Sequence, residues 1–121
     1  MTAPRVLVSM EPRMYAEALA ASVRLRRPGA RVTILDPSRD LVAGVGQLRP
    51  HLVVANRVPP EVRGSVASWV EAAVPAWRVG PKGLAAEIGA GGSSWGVENL
   101  STGDVLAALD RAYGSDAGAG P

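Results

Sequence analysis

Short, uninterrupted apolar runs recur along the chain, and they limit the folds that it can adopt more than any other feature. Residues 6–8 (Val-Leu-Val) and residues 52–55 (Leu-Val-Val-Ala) form two such runs, each followed directly by polar residues. A run of this length is typical of a parallel strand buried on both faces. Parallel neighbours need a crossover connection, usually a helix. The runs therefore predict an α/β domain made of alternating strands and helices.

The pattern predicts five strands, over residues 5–9, 31–35, 52–56, 76–79 and 95–98. Helices are predicted from Pro12 to the Pro28-Gly29 stop, from a cap at Asp36 or Ser38 to Leu48, and over residues 61–73, 82–88 and 101–114. Ser101 and Asp104 have the spacing of a capping box at the start of the last helix.

Apolar residues at helical spacing indicate which face of each helix packs on the core. The predicted core-facing residues are Met14, Ala18, Ala21 and Leu25 in the first helix, Val62, Val66, Trp69, Val70 and Ala73 in the third, and Val105, Leu106, Leu109 and Ala112 in the last.

Five strands alternating with helices predict a doubly wound five-stranded parallel sheet with strand order 2-1-3-4-5 and helices on both faces. The domain is expected to span residues 1–114, with a disordered tail over residues 115–121. In such a sheet a ligand binds at the carboxyl ends of the strands, near the point where strand order reverses. The residues expected there are Ser9, Met10, Glu11, Asn56 and Arg57.

Composition excludes several classes of protein. A chain of 121 residues fits one domain, and the absence of cysteine excludes disulfides and thiolate metal sites. Neither a signal peptide nor a membrane-spanning stretch is evident, so a cytoplasmic location is expected. Arg24, Arg26, Arg27 and Arg31 form a basic cluster, but the net charge is only +2, so they are interpreted as a solvated helix end rather than a nucleic-acid site.

The chain resembles the receiver domain of two-component response regulators over residues 5–113. Residues 6–12 (Val-Leu-Val-Ser-Met-Glu-Pro) are similar to the family's first strand and its acidic end, and residues 49–56 (Arg-Pro-His-Leu-Val-Val-Ala-Asn) to the strand that ends in the phosphorylated aspartate. Pro60, the Gly89-Ala90 pair and residues 100–109 also have counterparts in the family.

The resemblance implies that the family's chemistry has been lost. Asn56 stands at the phospho-acceptor position, where an amide is no useful nucleophile. Ser9 and Met10 replace the acidic residues that hold Mg²⁺, with Glu11 beside them, and a thioether is a poor ligand for a hard cation. Val79 and Glu98 replace the family's Ser or Thr and its Lys.

The resemblance therefore implies a phosphorylation-independent signalling module that is not an enzyme, needs no cofactor or metal, and binds another signalling protein or a second copy of itself. The partner surface is expected to involve parts of residues 83–88, 95–98 and 104–113, and a homodimer would form through the last helix. Candidate contacts are Arg57, Trp95, Leu106, Asp110 and Tyr113. The alternative is a small-ligand sensor using Ser9, Glu11, Asn56 and Arg57. The glycine-rich residues 89–94 are interpreted as a flexible connection rather than a nucleotide site, and His51 is expected to be exposed.

Overall fold

The computed structural model describes residues 3–72 and 84–118, with side chains up to Tyr113. The described strands are β1 (Arg5–Ser9), β2 (Arg31–Ile34), β3 (Leu52–Ala55), β4 (Ser68–Ala72), β5 (Ala86–Ala90) and β6 (Ser93–Val97). The described helices are α1 (Arg13–Arg26), α2 (Leu41–Leu48), α3 (Pro60–Arg63) and α4 (Thr102–Gly118).

The strands form one six-stranded mixed sheet in the order β2-β1-β3-β4-β5-β6. The strands β1 to β4 pair parallel with one another, whereas β5 pairs antiparallel with both β4 and β6. The predicted five-stranded, all-parallel sheet is therefore wrong. Its arrangement holds for β2, β1 and β3, and it fails where the chain continues after β3.

The error begins in residues 61–73, which were predicted as one helix. The helix α3 stops at Arg63, and residues 68–72 form β4. Ser68, Val70 and Ala72 point to one face of the sheet and Trp69 and Glu71 to the other, and most of these side chains are buried because β4 is a central strand. An apolar strand buried on both faces has no strict alternation, so its pattern also fits a helix.

The second error concerns residues 86–97. Residues 86–88, predicted as the end of a helix, belong to β5. The predicted flexible connection at residues 89–94 is the end of a hairpin, in which residues 89–90 finish β5, residues 91–92 turn and residues 93–94 begin β6. Gly91 and Gly92 have φ angles of 61° and 82°, as a two-residue hairpin turn with positive φ at both positions requires. The predicted strand at residues 76–79 and residues 82–83 of the predicted helix lie outside the described residues.

Helices cover the sheet on both faces. Core residues of β1, β3, β4 and β5 pack with α1 and α4 on one face, and Leu7, Val53, Ala55 and Trp69 pack with α2 and α3 on the other. The predicted β1 is confirmed at its bounds, and β2 and β3 each end one residue earlier than predicted. Asp40 caps α2 by accepting from the amides of Val42 and Ala43, whereas the predicted caps Asp36 and Ser38 bond to each other in the preceding turn.

The predicted packing face of α1 is also wrong. Met14, Ala18, Ala21 and Leu25 are all exposed, and Ala16, Ala20 and Val23 on the opposite side of the helix are buried. Alanine is small enough to bring α1 close to the sheet, and nothing in the pattern indicated that the larger residues would face solvent.

The last helix begins as predicted. The Ser101 hydroxyl accepts from the Asp104 amide at 3.1 Å, and the Asp104 carboxylate accepts from the Ser101 amide at 3.0 Å, which completes the capping box. The helix continues to Gly118, four residues past its predicted end. None of the helices within residues 3–72 and 84–118 is both long and apolar enough to cross a membrane.

Candidate functional site

The carboxyl end of the sheet, where β1, β3 and β4 finish, contains the predicted site. The Asn56 side-chain oxygen accepts from the Glu11 amide, and its nitrogen donates to the Ala72 carbonyl at 3.3 Å. Asn56 therefore links the segment after β1 to the ends of β3 and β4. Because the side-chain oxygen and nitrogen both bond to backbone, Asn56 has a structural role whether or not a ligand binds nearby.

Some of the other predicted pocket residues lie near Asn56, and others do not. Ser9 and Met10 are buried, and Met10 belongs to the hydrophobic core between the sheet, α1 and α4. Glu98 follows β6, which lies three strands away from β3, or roughly 14 Å at the usual strand spacing. Val79 lies outside the described residues. The structure thus brings Ser9, Met10, Glu11 and Asn56 together and separates Glu98 from them.

An ion-pair cluster occupies the face of the sheet beside α3. Arg63 pairs with Glu71 at 3.0 Å and with Glu87 at 3.5 Å, and its guanidinium carbon lies 4.1 Å from the Trp69 ring centroid. Glu71 also accepts from the Val58 amide at 2.8 Å. This cluster holds the segment after β3 against β4 and β5, where the predicted fold had a long helix.

Arginines concentrate at the amino end of the sheet, where the parallel strands begin. Arg5 and Arg31 are paired neighbours at the starts of β1 and β2, and Arg49 ends α2 just before β3. Arg24, Arg26 and Arg27 are at the end of α1, and Arg111 lies near the end of α4. The basic cluster predicted from the sequence contained only the arginines at the end of α1 and the start of β2. The missed signal is that Arg5 begins β1 and Arg49 comes shortly before β3, and parallel strands all begin at one end of the sheet.

An open groove of about 850 Å³ lies along this amino end. Its apolar lining comes from Val42 and Val45 of α2, Pro50, Ala67 and Ala112, and its charged lining from Arg5, Arg49 and Glu61, with His51 among them. A volume of this size falls within the range of ligand-binding clefts. The groove therefore combines apolar walls with two cations and one acid.

His51 forms part of the wall of this groove. It is only 6% exposed, so its predicted exposure is wrong. Its Nδ1 accepts from the Arg5 amide at 3.0 Å, and the Tyr113 ring lies edge-on at 5.3 Å between centroids. The hydrogen bond from the Arg5 amide explains why His51 can be buried, since a buried polar group needs a hydrogen-bond partner.

A second cavity of about 440 Å³ shares Ala67 and Ala112 with the groove and reaches the hairpin turn at Gly91. Arg111 lines it, and the Arg111 guanidinium carbon lies 5.2 Å from the ring centroid of Trp95. Trp95 is 36% exposed on the outermost described strand. Together the two cavities form a surface that runs from α2 to β6 and carries Arg5, Arg49 and Arg111, here called the cationic surface.

Several of these arginines have structural partners. Arg27 makes two hydrogen bonds to Asp110, at 2.7 and 3.2 Å, and this pairing raises the pKa of Arg27 above its ordinary value. Arg24 donates to the Val32 carbonyl, and Arg5 donates to the Arg49 carbonyl. Arg26, Arg31, Arg49 and Arg111 are exposed, so they carry most of the accessible positive charge at this end of the sheet.

The candidate partner contacts on the last helix are mostly engaged within the chain. Leu106 is buried in the core, Asp110 pairs with Arg27, and Tyr113 packs against His51. Among the residues that the structure describes, no group of three or more His, Asp or Glu side chains could hold a metal ion.

No family model and no curated protein matches the chain. A solved structure from Mycobacterium tuberculosis is similar at 14% sequence identity and a TM-score of 0.40, covering 97% of this chain and 66% of that one. That protein is described as uncharacterised, with sugar N-formyltransferase as its suggested activity. The likeness is too low to establish a shared fold.

Proposed function

We propose that this protein is a binding domain that holds an acidic segment of a partner protein in the groove at the amino end of the sheet. The observation that carries the proposal is the pairing of apolar walls with Arg5 and Arg49 in a groove of about 850 Å³. A cation at the rim of an apolar groove favours a ligand with carboxylates beside apolar side chains. This keeps the expected protein partner and moves the contact to the groove, which the last helix lines only at Ala112.

A protein segment fits the groove better than a nucleic acid does. Nucleic-acid surfaces neutralise many phosphates, and single strands stack their bases on several aromatic rings. Here Arg27 is paired with Asp110, Glu61 lines the groove, and Trp95 is the exposed large aromatic residue among the described side chains. The apolar walls contributed by Val42 and Val45 also match side chains rather than phosphates.

The probe for this proposal is a fluorescein-labelled decapeptide of alternating glutamate and leucine, measured by fluorescence anisotropy. We expect it to bind, and we expect Arg49→Gly to weaken it about fivefold, the equivalent of roughly 1 kcal/mol for one exposed ion pair. Arg49 has φ 46° and ψ 59°, a left-handed conformation that glycine adopts readily, so this variant should remain folded. Glu61→Gln should tighten binding, because it removes the acid from the groove.

The matched control is Arg57→Gln, which removes an exposed arginine at the opposite end of the sheet. Loss of binding in Arg57→Gln with none in Arg49→Gly would contradict the proposal and favour a ligand at the carboxyl end. Equal binding of a peptide with lysine in place of glutamate would contradict it as well. So would tighter binding of a single-stranded oligonucleotide of the same charge.

A further inference from the structure

The outer face of α1 carries an apolar stripe that the fold leaves exposed. Met14 and Leu25 are 73% and 82% exposed, the largest values among the exposed large apolar residues that the structure describes. Ala18 and Ala21 lie between them and are also exposed. The spacing of four, three and four residues puts all four side chains on one side of the helix, opposite the buried Ala16, Ala20 and Val23.

This stripe is complementary to itself in an antiparallel arrangement. A second α1 lying antiparallel would place its Leu25 against Met14 and its Ala21 against Ala18. Large side chains would then meet at the two ends, and alanines in the middle would let the helices approach closely. The four-three-four spacing is also that of the apolar seam of a two-helix coiled coil.

The charges beside the stripe support the same arrangement. Glu17 and Arg24 lie on the same flank of the stripe, seven residues apart, and antiparallel packing brings each near the opposite charge on the second copy. Glu17 pairs with Arg13 at 2.9 Å, an exposed contact that is weak by nature. Arg24 uses one nitrogen on the Val32 carbonyl, and a guanidinium has further donors to offer.

We infer that the chain forms a homodimer by antiparallel packing of the outer faces of α1. A helix of 14 residues is about 21 Å long, so the contact belongs to the small end of the interface scale and the dimer forms at high protein concentration. The interface lies apart from the amino-end groove and is independent of acidic-segment binding. It also differs from self-association through α4, whose Val105, Leu106 and Leu109 are buried in the core.

Sedimentation equilibrium of the full chain tests the dimer, over about 10 µM to about 1 mM, the range in which small interfaces associate. We expect the apparent mass to rise toward that of a dimer in the wild type and to stay monomeric in Leu25→Gln. Unchanged melting of Leu25→Gln would show that the variant is folded. The matched control is Leu48→Gln, which replaces an apolar residue 37% exposed on α2. A monomeric wild type, or equal loss in Leu48→Gln, would overturn the inference.

Disulfide trapping tests the orientation, because the chain has no cysteine of its own. Met14→Cys and Leu25→Cys chains are mixed in equal amounts and oxidised. The antiparallel arrangement predicts that the mixed disulfide exceeds the two symmetric disulfides combined. A preference for symmetric disulfides would overturn the antiparallel arrangement. Cross-linking no faster than that of a Leu48→Cys chain would overturn the interface itself.

Discussion

The Asn56 side chain connects three parts of the carboxyl end of the sheet, because its oxygen and its nitrogen are both bonded to backbone. Replacing it with aspartate keeps the oxygen that accepts from Glu11 and removes the donor to Ala72. We expect Asn56→Asp to lower the free energy of unfolding at neutral pH by about 1–3 kcal/mol, since the second carboxylate oxygen then faces the Ala72 carbonyl without a donor between them. Urea unfolding at several pH values measures this.

The sign of the pH dependence follows from that contact. A protonated carboxyl can donate to the Ala72 carbonyl as the Asn56 nitrogen does, whereas a carboxylate cannot, so we expect the pKa of the introduced carboxyl in the folded state to be raised above the unfolded value of about 3.9. The destabilisation is then absent below the unfolded pKa and grows as pH rises through the folded one. Asn56→Ala is the control, with a loss that should not change over this range. A pH-independent loss in Asn56→Asp would show that the Ala72 contact is unimportant.

At the scale of elements, the contact between β4 and β5 depends on a glycine. A Cβ atom added at Gly89 would lie 2.1 Å from Cε2 of Trp69, which is closer than two non-bonded carbon atoms can approach. We expect Gly89→Ala to displace the indole and lower the free energy of unfolding by about 1–3 kcal/mol. The displacement would also disturb the Arg63 contact with the ring, which tryptophan fluorescence can follow.

Gly46→Ala is the matched control for this prediction. Nothing lies within 4 Å of a Cβ added at Gly46, and the residue is inside α2. Alanine there should raise the free energy of unfolding by about 0.5–1 kcal/mol through helix propensity. Equal effects of the two substitutions in urea unfolding would mean that Trp69 does not pack against Gly89 as the structure shows.

The elements differ in how far the sequence determines them. The apolar runs of β1 and β3 and the stops at Pro28 and Gly29 were sufficient to predict the first half of the sheet. Residues 68–72 were not, because Val66, Trp69 and Val70 also have helical spacing, and only the tertiary position of β4 decides between the two. The Gly91-Gly92 pair was a hairpin signal. Residues 89–94 were instead interpreted as a flexible connection.

In the candidate site too, the sequence predicts the positions of some residues, and the tertiary structure alone decides those of others. The gathering of Ser9, Glu11 and Asn56 at one end of the sheet followed from β1 and β3 being parallel neighbours. The amino-end groove could not be derived, because it depends on where α4 ends and on the path of residues 64–67 from α3 to β4. The burial of His51 could not be derived either, because its hydrogen bond with the Arg5 amide joins residues far apart in sequence.

At the scale of the whole molecule, hydrogen exchange should show a gradient across the sheet. Strands β1 and β3 are paired on both sides and carry buried side chains, so we expect their amides to exchange slowest. Within β6 the two-residue turn makes Ala90 and Ser93 a hydrogen-bonded pair. The amides of Trp95 and Val97 then point toward β5, and those of Ser94 and Gly96 point away from the sheet.

We therefore expect Ser94 and Gly96 to exchange at least about tenfold faster than Trp95 and Val97 in residue-resolved NMR measurements. The comparison within one strand is its own control, because the residues expected to exchange fast alternate along β6 with those expected to exchange slowly. Protection of Ser94 and Gly96 with fast exchange of Trp95 would place the hairpin one residue out of register. Such a shift would also turn Trp95 away from Arg111 and remove the cationic surface beside β6.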